Sequence, residues 1–211
     1  MAADLLGVIR QALADLDRFG ARAALVGGFA VSARARPRTT KDVDFSVAVD
    51  DDREAEGLVR NLIGIGYRAK TLLEHEVTGR LATVRLFLPE SQSTEPDLDL
   101  LFASCGFENE VVAAATMMSL PGVGPVRIAR TGHLIAMKVL AESDAREHDR
   151  ADLRALVAAA RAPELELARQ AMRLIEQRGY ARGKNLGAVL EQFVGGSPGS
   201  GSRRRPTRRR P

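Results

Sequence analysis

Two aspartates flank Val43 at the head of the run Val43-Asp44-Phe45-Ser46-Val47-Ala48-Val49, and no other feature constrains this chain as strongly. The β-branched residues and the alternation read as a strand over 43–49, in which positions i and i+2 point to one face. Asp42 and Asp44 then stand side by side. Like charges that close disfavour joint ionisation, so the fold must bring something positive to them. Upstream, Ala23-Ala24-Leu25-Val26 reads as a short strand ended by Gly27-Gly28, and Phe29-Ala-Val-Ser-Ala-Arg reads as a short helix starting at the glycines. Bare backbone N–H groups at a helix start form a site for phosphate oxygens. Thirteen residues, Phe29 to Lys41, separate Gly28 from Asp42.

The rest of the chain alternates strand and helix signals around this element. Leu5, Leu6, Ile9, Leu13 and Leu16 recur at helical spacing, so residues 3–19 read as an amphipathic helix stopped by Gly20. Asp50-Asp51-Asp52 caps a helix running to about Ile65, and 67–73 and 81–88 read as strands. Pro96 marks the entry of a third strand, Asp97-Leu-Asp-Leu-Leu-Phe102, on which Asp97 and Asp99 share a face. Residues 110–118 and 125–129 read as strands around the turn at 121–125, with a helix left open for the first. From Thr131, a candidate cap, helices are predicted to about Ser143, from Arg146 to Ala160, from Pro163 to Arg178 and over 185–194.

Strands that run together between 67 and 129 without regular crossover helices favour an α+β fold, a mixed sheet with flanking helices, over a doubly wound one. The expected organisation is a core over 1–130, a helical part over 131–194 and a disordered Gly/Ser/Pro linker with an Arg-rich tail over 195–211.

The formal net charge of +4 belongs to that tail. Its six arginines (Arg203, Arg204, Arg205, Arg208, Arg209 and Arg210), taken from 31 basic residues, leave 25 against 27 acidic ones in 1–194, a formal charge of −2. Such a body is poorly suited to sequence-independent duplex binding. One cysteine, Cys105, excludes an intramolecular disulfide and a Cys-based zinc cluster and points to a reducing compartment. No run approaches the ~20 apolar residues of a membrane span, and no secretory leader is visible, so a cytoplasmic protein without membrane contact is expected.

A hard divalent cation such as Mg²⁺ would offset the Asp42–Asp44 pair with oxygen ligands, and two such ions about 3.5–4 Å apart form the usual clamp for nucleotidyl transfer. Asp99 offers a third carboxylate. Alone, Asp-x-Asp is more often a solvated pair on an exposed face. With Val26-Gly27-Gly28 before it, the pattern resembles the signature of the polymerase-β-like nucleotidyltransferase superfamily, a hydrophobic residue and two glycines, a helix and loop, then Asp42-Val43-Asp44-Phe45. The stretches 25–32, Arg38-Thr-Thr-Lys-Asp42-Val-Asp44 and His133 to Ala141 with Asp149 and Asp152 look like the AbiEii group, nucleotidyltransferase-like toxins of type IV toxin–antitoxin systems.

The resemblance implies that Asp42, Asp44 and Asp99 are catalytic and hold two Mg²⁺ ions, with Asp99 helping to deprotonate the attacking hydroxyl. It implies an NTP whose β and γ phosphates lie at Gly27 and Gly28, where a side chain at Gly28 would crowd the phosphates or demand a backbone angle that glycine alone reaches cheaply. Ser32, one helical turn on, could add a hydroxyl. Arg38 either pairs with a phosphate or braces its loop. Lys138 either meets the triphosphate or snorkels to water, and the resemblance favours the phosphate. Asp149 and Asp152 share a helix face, which reads as ordinary ion pairs, while the resemblance makes Asp152 a nucleotide-site candidate. The acceptor is expected to be RNA, such as a tRNA end, with an antitoxin protein as a partner. A small antibiotic-like acceptor and a non-catalytic nucleotide-binding protein are the competing readings.

Overall fold

The computed structural model describes residues 4–92, 94, 97–143 and 147–195, so Pro96, Arg146 and the arginine tail lie outside the described residues. The chain opens with α1 (Leu5–Arg18), where Asp4 accepts a capping hydrogen bond from Gly7 N–H, and continues into β1 (Arg22–Leu25) and α2 (Gly27–Arg34). Next come β2 (Val43–Ala48), α3 (Asp52–Gly64), β3 (Arg68–Glu74), β4 (Leu81–Phe87), β5 (Leu98–Leu101), α4 (Glu108–Ala114), β6 (Thr116–Leu120) and β7 (Gly124–Ile128). The described chain closes with α5 (Thr131–Ala141), α6 (Glu147–Ala159), α7 (Ala162–Gln177) and α8 (Leu186–Val194).

One seven-stranded sheet has the order β3-β4-β5-β2-β1-β7-β6. β2 pairs with β5 and β1 with β7 in parallel, and the other neighbours are antiparallel, so the sheet is mixed and the α+β class holds. The register fixes what each face carries. Val43, Phe45 and Val47 of β2, Leu98 and Leu100 of β5, and Val84 and Leu86 of β4 alternate onto one face, all buried in the main core. Asp44, Asp99 and Arg85 occupy the opposite face of the same three adjacent strands. Helices α5 to α8 share the main core through Leu134, Ile135, Leu153, Leu156, Ala168 and Leu190.

Two expectations change. The stretch 110–118 is not one strand: α4 takes 108–114 and β6 begins at Thr116. Val112 of α4 packs with Ala24 and Ala48 in a small second cluster, and small side chains on β1 and β2 let a two-turn helix lie close to the strands. Thr131 is the first residue of α5 and not its cap. Arg130 holds the cap position without a side-chain bond, and the carboxylate of Glu164 on α7 accepts from Gly132 N–H at 2.7 Å instead.

Candidate active site

The parallel pairing of β2 and β5 sets Asp44 opposite Asp99, and Asp42 follows on the same face just before β2. One carboxylate oxygen from each of the three lies within 4.8 Å of the others. Thr40 fixes the first of them, its hydroxyl donating to Asp42 Oδ1 at 3.2 Å. The crowding has the electrostatic effect anticipated for like charges. Burial, then the neighbouring carboxylates of Asp42 and Asp99, push Asp44 up to about 7, against the pull of Lys138 and Arg38. Burial raises Asp99 to about 6, with Asp42 adding to the rise and the Arg85 guanidinium, 3.3 Å from Oδ2, opposing it. An all-oxygen set of three carboxylates, two of them reluctant to ionise without a counter-charge, fits a hard divalent cation such as Mg²⁺.

The glycine turn lies against this cluster. Val26 N–H donates to the carbonyl of Asp44 at 2.9 Å, which seats the start of α2 beside β2. Gly27 has φ +60°, and a Cβ there would fall inside the Asp44 carboxylate. That position needs glycine twice over, for its backbone and for the space. Gly28 has no such backbone demand; a Cβ there would meet Thr40 Oγ1 at 2.5 Å and Arg38 at 2.7 Å. The backbone reason expected at Gly28 therefore belongs to Gly27. No side chain caps α2, so its first-turn N–H groups remain available to an anion beside the carboxylates.

Arg38, Lys138, Asp149 and Asp152 form one ion-pair network across the cavity from Asp44. Lys138 Nζ is 2.6 Å from Asp149 Oδ1 and 2.9 Å from Asp152 Oδ2, and Arg38 Nε is 2.9 Å from Asp152 Oδ1. Asp152 is buried and bridges the two cations. Lys138 thus does not snorkel, and Arg38, which also donates to the Thr39 carbonyl at 2.8 Å, braces its loop while facing the cavity. Ser32 lies behind them: its hydroxyl accepts from Arg38 N–H at 3.2 Å and donates to the Arg38 carbonyl at 3.4 Å, holding the loop from the α2 side.

These groups enclose a cavity of about 340 Å³ that Gly27, Gly28, Arg38, Asp42, Asp44, Asp99, Lys138 and Asp149 line on one side. Beyond Asp99 the wall is Arg85, Leu101, Ser104, Cys105 and Arg182. Sequence reasoning missed Arg85 and Arg182. Arg85 alternates with buried Val84 and Leu86, which marks it as pointing out of the core, but its partner Asp99 follows from a cross-strand register with no local signal. Ser104 and Cys105 are held from beneath by Glu108, whose Oε1 accepts from both backbone N–H groups, the hydroxyl and the thiol. Burial and Glu108 push the Cys105 thiol up, which disfavours the nucleophilic thiolate. His75 stacks on Tyr180 at 4.0 Å, and its Nδ1 pairs with the Thr78 hydroxyl at 3.1 Å.

Comparison with known proteins agrees with this geometry. A sequence model of the family described as nucleotidyl transferase AbiEii toxin, type IV TA system, matches residues 11–205. Among solved structures, an antigenic nucleotidyltransferase-like protein from Paracoccidioides brasiliensis is 19% identical, with 90% of this chain and 94% of that one covered and a TM-score of 0.51. ANT(2")-Ia, solved with adenylyl-2"-tobramycin, is 17% identical over 81% of this chain and 98% of its own, with a TM-score of 0.52. At these identities the two structures speak for the fold. No curated protein matches.

Proposed function

The chain belongs to the AbiEii family of nucleotidyltransferase toxins, and on that premise we propose that it moves a nucleoside monophosphate from an NTP to a hydroxyl of RNA, such as a tRNA end. The observation that carries the reading is the convergence of Asp42, Asp44 and Asp99 beside an uncapped helix N-terminus that begins with two glycines. Gly27 and Gly28 let the β and γ phosphates approach the backbone N–H groups of α2, and Arg38 and Lys138 offset phosphate charge from the opposite wall. Asp152 keeps those two cations in place before the nucleotide arrives.

A pair of divalent cations such as Mg²⁺, held by Asp42, Asp44 and Asp99, would supply charge to the attacking and leaving oxygens. The protein's own part is placement. The acceptor oxygen forms a bond to the α-phosphorus as the bond to the bridging oxygen of the β-phosphate breaks, and pyrophosphate leaves toward the glycines. Asp99, as a carboxylate whose proton affinity burial increases, would take the hydroxyl proton. Toxicity then follows from altered RNA, and family membership supports an antitoxin protein as the partner.

Incubation with each labelled NTP, Mg²⁺ and total RNA tests this reading. Label from a preferred NTP should enter RNA in the wild type and not in Asp44→Ala. Labelling that persists in Asp44→Ala, or that reaches only small-molecule acceptors, overturns it.

A further inference from the structure

The sheet order gives the cavity a direction. The glycines end β1, the metal-type carboxylates stand on β2, Asp99 on β5 and Arg85 on β4, four strands in spatial sequence about 4.8 Å apart. If the triphosphate lies at the glycines, the acceptor must approach Asp99 from the β4 side. That side carries charge of one sign. Arg85, half exposed, reaches Asp99 from β4, and Arg182, exposed on the loop between α7 and α8, donates to the Ser104 carbonyl at 3.0 Å. Besides Asp42, Asp44 and Asp99, the one carboxylate among the described residues that line the cavity is Asp149, which is paired with Lys138. Arg182 is also held at φ +53°, a left-handed backbone that a residue with a side chain adopts at a cost.

We propose that Arg85 and Arg182 form the acceptor subsite and bind the phosphodiester backbone next to the 3′ hydroxyl of an RNA. The inference rests on the functional reading above and deepens it to a specificity device. Two guanidiniums at the mouth attract phosphates and repel a polycationic antibiotic, so the charge of this wall selects between the two acceptor classes.

The test uses the full chain and a 5′-fluorescein oligoribonucleotide with a free 3′ hydroxyl, with anisotropy read between 50 and 200 mM salt, roughly the range over which phosphate contacts separate. Arg85→Ala and Arg182→Ala should each weaken binding about tenfold and each lower the slope of log K against log salt by about 0.7. The KM for RNA should rise while that for NTP stays put, and Arg182→Lys should restore the slope. Among the described residues exposed Arg182 makes one side-chain hydrogen bond, to the Ser104 carbonyl, so its variant should fold even if removal of the Asp99 partner unsettles Arg85→Ala. Unchanged RNA affinity and slope in folded variants, or a loss confined to NTP binding, overturns this inference alone. Wild type that transfers nothing to RNA overturns the functional reading beneath it.

Discussion

Asp44 stands where burial and two neighbouring carboxylates oppose its charge, which raises it from an ordinary 3.8 to about 7. Its proton therefore stabilises the fold, fully below about pH 4 and progressively less as the pH rises to about 7. In metal-free protein, Asp44→Asn should melt above the wild type by a margin that widens across this window and then levels, about 2–4 °C for each kcal/mol gained. Thermal melts at stepped pH check this, and a margin that does not change with pH contradicts it. The same variant should lose nucleotide transfer. Gly27→Ala should behave differently, since a Cβ both strains the left-handed backbone by about 1–2 kcal/mol and displaces the Asp44 carboxylate. Transfer should fall on the order of a hundredfold, the penalty for a misplaced catalytic group, as measured in a steady-state assay. Asp42, Asp44 and the glycines are legible in the sequence because their geometry is local, two residues on a strand and a turn into a helix. Arg85 is not, because β4 and β5 meet through a register set by the whole sheet.

Among the elements, α5 decides how well the Lys138 side of the cavity is ordered, because it carries Lys138 and is fastened at both ends by other parts of the chain. Glu164 of α7 takes Gly132 N–H and also pairs with Arg130 at 2.6 Å. Lys184 donates to the carbonyls of Leu140 and Glu142 at the other end. Gly132 allows the close approach, since a Cβ there would meet the Glu164 carbonyl. Glu164→Ala should cost about 1–2 kcal/mol, the loss of a helix cap and a partly exposed ion pair, seen as a lower melting temperature. An unchanged melt would mean that α5 needs no outside cap. This capping explains why Thr131 misled the sequence reading: the donor at the helix start is satisfied from 32 residues away. The helix boundaries that periodicity and Asp, Asn and Gly signals define were legible, as at Asp51 and Asn185. The two-turn α4 was legible only as an open alternative, because Glu110, Ala113 and Ala114 favour a helix while Val111 and Val112 favour a strand, and packing on Ala24 and Ala48 decides between them.

At the scale of the molecule, net charge misleads. A formal −2 over residues 1–194 argues against a nucleic-acid partner, yet the cavity gathers Arg38, Lys138, Arg85 and Arg182 along its lining, where the proposed nucleotide and acceptor would meet them. Local arrangement governs what a cleft binds, since exposed charges more than about 8–10 Å away are screened at physiological salt. No described helix is long and apolar enough to cross a membrane. The central claim is that the three carboxylates and a triphosphate at the glycines form one joint site. Calorimetric titration of an NTP into the protein, with Mg²⁺ or with EDTA, for wild type and Asp42→Ala, tests it most directly. Binding should occur in Mg²⁺ and disappear both in EDTA and in the variant; binding that persists unchanged in either contradicts the account.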